Sequence, residues 1–205
     1  MTDLDKLTKI AMELQAISQI GLTYTKDLYD QERFERIREI SAELMSMKTD
    51  LPIQKVKDLF CNETGYQTPK IETRAVIFKN EKLLLVKEKG KWALPGGWVD
   101  YNESIFSNTI KEAKEEAGLD VVPTKVIAIQ DRNKHNFPKY AYGICKVFVL
   151  CDVLGGKFQD NIETTESAYF ALDALPELDE DKNVFSQIEM CFRAYKDPSW
   201  NVIFD

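Results

Sequence analysis

The apolar residues of this chain change their spacing once, at the polar segment CNETGYQTPK (61–70). Before this segment, apolar side chains recur at three- and four-residue intervals, which is typical of amphipathic helices. These residues are Leu4, Leu7, Ala11, Leu14 and Ile17, followed by Phe34, Ile37, Ile40, Leu44 and Met47. After the segment, short runs rich in Val, Ile, Leu and Phe predict β-strands. The sequence therefore predicts an α+β protein, with a small all-helical domain over 1–65 and a mixed domain over 66–205.

Turn and capping signals divide each region further. The segment GLTYTKD (21–27) separates the first two predicted helices, and a third is predicted before residue 61. In the second region, KNE (79–81) lies between two apolar runs and predicts a β-hairpin. A helix is predicted over 103–117, ended by Gly118. Further strands are predicted in KVIAIQD (125–131), YGICKVFVLCDV (142–153) and AYFAL (168–172), and a last helix in DKNVFSQIEMCFRAY (181–195).

Charge and composition exclude several classes of protein. The formal net charge is −7, and the sequence lacks the basic stripe typical of duplex-binding surfaces, so nucleic acid is not expected as the main partner. No apolar run approaches the roughly 20 residues of a membrane span. The N-terminus, MTDLDKLTKI, has no apolar core like that of a secretion signal. The 4 cysteines form no C-x-x-C pair, and we expect them to be reduced thiols. We therefore expect a cytoplasmic protein with no membrane partner.

The stretch WALPGGWVDYNESIFSNTIKEAKEEAGLD (92–120) places two glycines directly before an acidic helix. On a helix, Glu112, Glu115 and Glu116 share one face, where like charges repel by about 0.2–0.5 kcal/mol per pair. The segment KEAKEE alone would fit a solvated acidic face. Adjacent glycines, however, cost backbone entropy and are typical of a chain that passes close to a ligand. A divalent cation such as Mg²⁺, which prefers oxygen ligands, would explain why carboxylates cluster here.

This stretch resembles the Nudix box, G-x5-E-x7-R-E-U-x-E-E-x-G-U, in which U is aliphatic. The matching residues over positions 97–119 are Gly97, Glu103, Glu112, Glu115, Glu116, Gly118 and Leu119. Two positions depart from the pattern. Lys111 replaces the usual Arg, keeping the charge but losing the fork that can hold two carboxylates, and Ala113 is small for an aliphatic position. The resemblance implies an α/β/α sandwich in which the box forms a loop, a helix and a second loop.

The resemblance implies a hydrolase of nucleoside diphosphates linked to a second moiety, X. It implies Glu112 and Glu116 as ligands of Mg²⁺, or of Mn²⁺ in its place, with Glu115 as a third ligand or a supporting group. A metal suits this chemistry, because an anionic pyrophosphate repels a nucleophile until its charge is neutralised. Family members often place a general base in the loop before the last strand. Glu163 and Glu166 lie there, and we favour Glu163 because it is further from the strand; the alternative is two solvated acids.

Several weaker patterns supply further candidates for the site. Lys111 is expected to hold the glutamates in place, as the family Arg does. Positively charged side chains in the first two strands would contact phosphate oxygens as point charges, or lie on the surface. The glycines and a following Trp would approach and stack on the substrate. The candidate substrate contacts are Arg74, Lys87, Gly96, Gly97 and Trp98.

Residues 5–60 resemble a helical extension found on one Nudix subgroup, the hydrolases of X-linked nucleoside diphosphates. The members of this subgroup that cleave CDP-choline into CMP and phosphocholine are the most similar, which implies that substrate. An apolar helix face in so small a module predicts a homodimer or a wall of the substrate site. Three alternatives stay open: ADP-ribose or a nucleotide sugar as substrate, an RNA 3′ end or cap, and a nucleotide sensor without catalysis. The acidic net charge argues against an RNA end as substrate. The complete set of box glutamates argues against a sensor without catalysis.

Overall fold

A computed structural model describes residues 6–205, so Leu4 of the first predicted stripe lies outside the described residues. The chain forms two compact units. One contains the residues up to Pro69 together with Lys139–Tyr142, and the other contains Lys70–Pro138 and Gly143–Asp205. We retain 1–65 and 66–205 as the proposed domains. None of the described helices combines the length and apolar character needed to cross a membrane.

The first unit contains three helices, α1 (Lys6–Tyr24), α2 (Leu28–Thr49) and α3 (Ile53–Phe60). The predicted separator at 21–27 is wrong in its first half, because α1 continues through Gly21 to Tyr24. A Cβ atom at Gly21 would lie 2.4 Å from the ring of Phe34. This glycine therefore lets α1 and α2 approach closely and does not end the helix. The break is confined to residues 25–27, where the Asp27 side chain caps α2 by accepting from the Asp30 N–H at 3.0 Å.

The buried face of α1 differs from the predicted apolar stripe. Leu7 and Ile17 are 55% and 46% exposed, whereas Gln15 and Ser18 are fully buried. The Ser18 hydroxyl donates a 2.6 Å hydrogen bond to the carbonyl oxygen of Phe34 on α2. Small and polar residues thus fill the helix crossing, because close approach of the two backbones leaves no room for branched side chains. Leu7 and Ile17 of the predicted stripe therefore lie at the surface, whereas Ala11 of the same stripe is buried in the core of this unit.

The second unit is built on seven strands. They are β1 (Lys70–Lys79), β2 (Lys82–Glu88), β3 (Lys91–Ala93), β4 (Leu119–Asp131), β5 (Ile144–Gly156), β6 (Glu166–Phe170) and β7 (Ile203–Phe204). The sheet order is β3-β2-β1-β5-β4-β7, with β6 paired to β2. The β1–β5 and β4–β7 pairs are parallel, and the other pairs are antiparallel. Strands β3 and β7 escaped prediction, because runs of three and two residues carry no readable alternation.

The β1–β2 hairpin is confirmed, and its strands separate soon after the turn. Asn80 and Glu81 form the turn with φ values of 49° and 61°. Only two residue pairs, Phe78–Leu83 and Lys79–Lys82, join the strands. The rest of the β1 edge that faces β2 is therefore available to another segment of the chain.

Two helices cover opposite faces of the sheet, which confirms the α/β/α sandwich. On one face, Ala113 and Ala117 of α4 (Ile105–Ala117) pack on Ala75 and Ile77 of β1. On the other face, residues of α6 (Phe185–Lys196) pack on Val76 and Phe148. A short helix α5 (Arg132–His135) and a 3₁₀ turn (Leu172–Ala174) complete the unit.

Helix α4 begins two residues later than predicted and ends where predicted. The Ser104 hydroxyl accepts from the Ser107 N–H at 3.1 Å, and the Ser107 hydroxyl accepts from the Ser104 N–H at 2.9 Å. This reciprocal cap fixes the start of the helix at Ile105 and leaves Glu103 outside it. Gly118 ends the helix with φ 69°, a left-handed conformation that favours glycine.

Candidate active site

The glycine loop, residues 94–97, occupies the edge of β1 that β2 leaves free. The backbone N–H groups of Thr73 and Ala75 donate to the carbonyl oxygens of Gly97 and Pro95 at 3.0 and 2.8 Å. At Gly96, φ is 148°, and a Cβ atom would lie 2.0 Å from the carbonyl oxygen of Thr73. Contact with β1 therefore already requires the first glycine, whether or not a ligand approaches it.

Two distant side chains fix the start of the glycine loop. The Leu94 N–H donates to Asn183 Oδ1 at 2.9 Å, and the Leu94 carbonyl oxygen accepts from Arg74 Nη1 at 3.0 Å. Arg74 is only 4% exposed, and its Nε donates to Glu72 Oε1 at 2.6 Å. The surface interpretation of Arg74 is therefore wrong. Its role as a phosphate contact stays a prediction. The guanidinium already donates hydrogen bonds to Leu94 of the loop and to Glu72.

Glu112 and Glu116 of α4 face the glycine loop and are 7% and 3% exposed. Glu116 Oε2 accepts a 2.8 Å hydrogen bond from the Gly96 N–H. A Cβ atom at Gly97 would lie 3.0 Å from Glu112 Oε2. The second glycine of the loop therefore makes space for the Glu112 carboxylate. Helix spacing and loop geometry together bring both predicted metal ligands to one place.

Burial disfavours the charged forms of these two carboxylates. Burial raises the pKa of Glu112 to about 7, and the charge of Glu116 adds to the effect. Burial also raises the pKa of Glu116, against lowering by Arg74 and by the Gly96 hydrogen bond. Among the described residues, no donor forms a hydrogen bond to the Glu112 carboxylate, since Lys111 Nζ stops 3.8 Å away. Two buried, under-neutralised carboxylates form a donor set that fits a divalent cation with oxygen preference.

Glu115 and Lys111 occupy the outer side of α4. The Glu115 side chain is 60% exposed and lies 3.9 Å from Lys111 Nζ. Lys111 Nζ also donates to Asp100 Oδ2 at 2.8 Å, which places it among several carboxylates. Within residues 6–205, no three acidic, His or Cys side chains come together as a ready metal cluster. Glu115 is thus not grouped with Glu112 and Glu116, and its role as a third ligand stays a prediction.

The two acids proposed as general base have different surroundings. Glu166 lies opposite Lys87 in the β6–β2 pair, and Lys87 Nζ donates to Glu166 Oε1 at 2.7 Å. Glu166, a candidate general base, and Lys87, a candidate substrate contact, are therefore paired with each other. Glu163 is exposed on the preceding loop, and its charge contributes to raising the pKa of Glu116, behind the larger effect of burial. Of the two candidate bases, Glu163 is therefore the one whose charge affects Glu116.

Two family models match almost the whole chain. Residues 68–188 match the NUDIX domain, and residues 5–60 match a UDP-X-like, N-terminal oligomerisation domain. The chain belongs to the Nudix hydrolase family. The box identified from the sequence is therefore the loop and helix that hold Glu112 and Glu116 in this Nudix hydrolase.

Several known proteins are similar to all or most of this chain. A putative ADP-ribose pyrophosphatase of Bacillus subtilis, YjhB, is 39% identical over 197 residues, which cover 95% of each chain. A solved structure of a UDP-X diphosphatase is 32% identical, covers 96% of this chain and 97% of its own, and superposes with a TM-score of 0.64. A solved ADP-ribose pyrophosphatase from Streptococcus suis is 49% identical, covers 67% of this chain and 100% of its own, and has a TM-score of 0.63.

The remaining candidate of this Nudix hydrolase, Trp98, is 44% exposed next to the glycine loop and pairs with Glu72 through its backbone.

Sequence reasoning missed residues that support the site from a distance. Asn183, which fixes the loop at Leu94, lies 89 residues further along the chain. Asp100, the hydrogen-bond partner of Lys111, lies within the box itself. Its position between the glycine loop and the helix was the one signal that could have identified it.

Proposed function

We propose that this Nudix hydrolase cleaves the pyrophosphate bond of a nucleoside diphosphate linked to a second moiety, with a divalent cation held by Glu112 and Glu116. The observation that carries the proposal is the pair of buried carboxylates facing the glycine loop, one of them fixed by the Gly96 N–H at 2.8 Å. A bound Mg²⁺ or Mn²⁺ would neutralise phosphate charge and lower the pKa of a coordinated water. Among the described residues, Arg74 lowers the pKa of both carboxyls, but burial outweighs it and both pKa values stay raised.

The side chains around this pair have separate roles in the proposal. Lys111 holds the carboxylates of the box in place. It does so through its ion pair with Asp100 and its contacts with Glu112 and Glu115. Glu163 accepts the proton of the attacking water on its carboxylate oxygen. Its exposed side chain and the absence of a hydrogen-bond partner for it among the described residues leave it available for that step.

Two substrates have the best support within the class. The names of YjhB and of the Streptococcus suis structure favour ADP-ribose. The helical extension, through its resemblance to the CDP-choline hydrolases, favours CDP-choline. We propose ADP-ribose as the first substrate to test and CDP-choline as the second. An RNA end is disfavoured by the net charge of −7, and a sensor without catalysis by the complete box.

A product analysis tests the proposal directly. Purified protein is incubated with Mg²⁺ and, separately, with ADP-ribose, CDP-choline, UDP-glucose and a 5′-triphosphate RNA, and the products are identified by mass. We expect a nucleoside monophosphate and a phosphorylated X from at least one of the first three. Glu116→Gln protein is the control for contaminating hydrolases. Absence of a monophosphate product from every compound would overturn the proposed function.

We also propose that the first unit forms a homodimer in a cytoplasmic protein. The matching family model is described as an oligomerisation domain. Apolar side chains stand exposed on these helices, including Leu28 at 72%, Tyr29 at 70% and Met47 at 80%. All 4 cysteines are free thiols, which fits a reducing compartment. Light scattering on the full chain should give twice its mass of 23.6 kDa; a monomer at micromolar concentration would contradict the dimer.

A further inference from the structure

The Glu163 loop, residues 161–165, is tied to the box helix by one buried hydroxyl. Thr164 is 1% exposed, and its Oγ1 donates a 2.7 Å hydrogen bond to the carbonyl oxygen of Glu116. This carbonyl belongs to the last turn of α4, where carbonyl groups have no partner within the helix. The hydroxyl therefore satisfies a helix end and joins the loop to the residue whose carboxylate faces the glycine loop.

Asn161 holds the same turn from the other side. Its Oδ1 accepts from the N–H groups of Glu163 and Thr164 at 3.0 and 2.8 Å. Its Nδ2 donates to Thr164 Oγ1 at 2.7 Å. The Thr164 hydroxyl thus accepts from one side and donates to the other, which fixes its orientation. The backbone of Glu163 is determined on both sides, while its carboxylate is left without a hydrogen bond among the described residues.

The far end of the loop is held by the sheet. The Thr165 N–H donates to the carbonyl oxygen of Lys87 on β2 at 2.9 Å. Glu163 is therefore followed directly by two anchors, Thr164 to α4 and Thr165 to β2. Of these two, only the Thr164 anchor reaches the helix that carries the proposed metal ligands.

We propose that Thr164 is a positioning residue for hydrolysis, which sets the Glu163 carboxylate relative to Glu112 and Glu116. The inference rests on the proposed function, because it needs Glu163 to act as the base. A displacement of about 1 Å in a reacting group can cost about 100-fold in rate. Loss of the hydroxyl should therefore lower kcat by about 10- to 100-fold. KM should change by less than about 2-fold, since the group acts on a step after binding.

A double-mutant cycle tests this role. Thr164→Val removes the hydroxyl and keeps the shape, Thr164→Ser keeps the hydroxyl, and Thr165→Val removes a neighbouring hydroxyl while leaving its N–H in place. We expect Thr164→Val to lose kcat, and the Ser variant and Thr165→Val to keep it within about 3-fold. In a Glu163→Gln background, Thr164→Val should have almost no further effect, because the residue acts through Glu163. A merely structural role would give the same loss in both backgrounds, which would overturn the inference.

The remaining outcomes also decide the question. Turnover by wild type with equal kcat in Thr164→Val overturns the inference alone, and full activity of Glu163→Gln overturns it together with the base assignment. No turnover by wild type on any nucleoside diphosphate derivative overturns the proposed function. Should Thr164→Val fail to fold by circular dichroism, Asn161→Ala carries the same comparison from the outer side of the loop. It is expected to lose kcat in the wild-type background and not in Glu163→Gln.

Discussion

The Gly96 backbone N–H donates a 2.8 Å hydrogen bond to the carboxylate of Glu116, and so joins the glycine loop to the box helix. This bond and the charge of Arg74 favour the charged form of Glu116, but burial still raises the pKa of both Glu116 and its neighbour Glu112. The relationship fits the proposed cation at Glu112 and Glu116. It also makes Glu116 the most informative single position in the site.

The first prediction concerns Glu116→Gln. Glutamine keeps the shape and can still accept from the Gly96 N–H, but it removes the charge. We expect turnover to fall by at least about 100-fold, with the unfolding temperature unchanged or raised, because a buried charge is lost. Mn²⁺ binding, followed by electron paramagnetic resonance, should weaken in parallel. Undiminished turnover in this variant, or in wild type with excess EDTA, would contradict the assignment.

The second prediction concerns Lys111, whose Nζ lies 2.8 Å from Asp100 and 3.8 Å from Glu112. If Lys111 holds these carboxylates, Lys111→Arg should preserve or raise kcat, because the guanidinium fork can contact two carboxylates. Lys111→Ala should lower kcat by about 10-fold. Lys114→Ala is the matched control, since Lys114 is on the same helix and, among the described residues, forms an ion pair only with Asp120, at 2.8 Å. Equal rates in all four proteins would leave position 111 as an ordinary surface site.

The third prediction separates backbone strain from steric clash at the glycine loop. Gly96→Ala introduces a Cβ atom 2.0 Å from the Thr73 carbonyl oxygen, whereas a Cβ atom at Gly90 meets nothing within 4 Å. Both glycines have positive φ, a conformation that L side chains rarely adopt, so both substitutions carry a conformational cost of about 1–3 kcal/mol. Gly96→Ala should lower the free energy of unfolding by at least about 2 kcal/mol more than Gly90→Ala. Similar denaturation midpoints for the two variants would show that β1 can yield at this contact.

The fourth prediction uses Lys146 of β5, which is fully buried. Its Nζ lies 3.4 Å from Glu72 Oε1 and also donates to the Lys182 carbonyl oxygen. Burial lowers the pKa of Lys146 from 10.5 to about 8, with Arg74 adding to the effect and Glu72 opposing it. Between these values the unfolded chain binds the proton and the folded chain releases it. This residue should therefore raise stability as pH increases from 8 to 10.5, by at most about 3 kcal/mol.

Urea unfolding at several pH values measures that contribution. Lys146→Met removes the titrating group, so its stability should gain less than that of wild type between pH 8 and 10.5. Lys79→Met, at an exposed position on β1, is the control and should follow wild type. Parallel profiles for wild type and Lys146→Met would contradict a lowered pKa at this position.

Short-range patterns account for the parts of the site that were predictable. The shared face of Glu112 and Glu116 follows from helix spacing, and the end of α4 follows from Gly118. The predicted buried face of α1 was wrong at Leu7 and Ile17 and right at Ala11. Hydrophobic spacing does not register that the helix crossing selects small residues such as Ser18. Asn183 and Thr164 reach partners 89 and 48 residues away, and no local spacing encodes such contacts. The support around the carboxylates therefore emerged only from the fold.

The glycine loop takes the place of a strand along the part of β1 that does not pair with β2. The backbone N–H groups of Thr73 and Ala75 donate to it as they would to a neighbouring strand. Functional loops commonly open on their own and exchange their amide hydrogens early. Here the amides of residues 73 and 75 can exchange only when the loop leaves the sheet. Hydrogen exchange at these positions should therefore be as slow as in the centre of the sheet. Slow exchange there would identify the glycine loop as the rigid part of the site, held in place by the sheet.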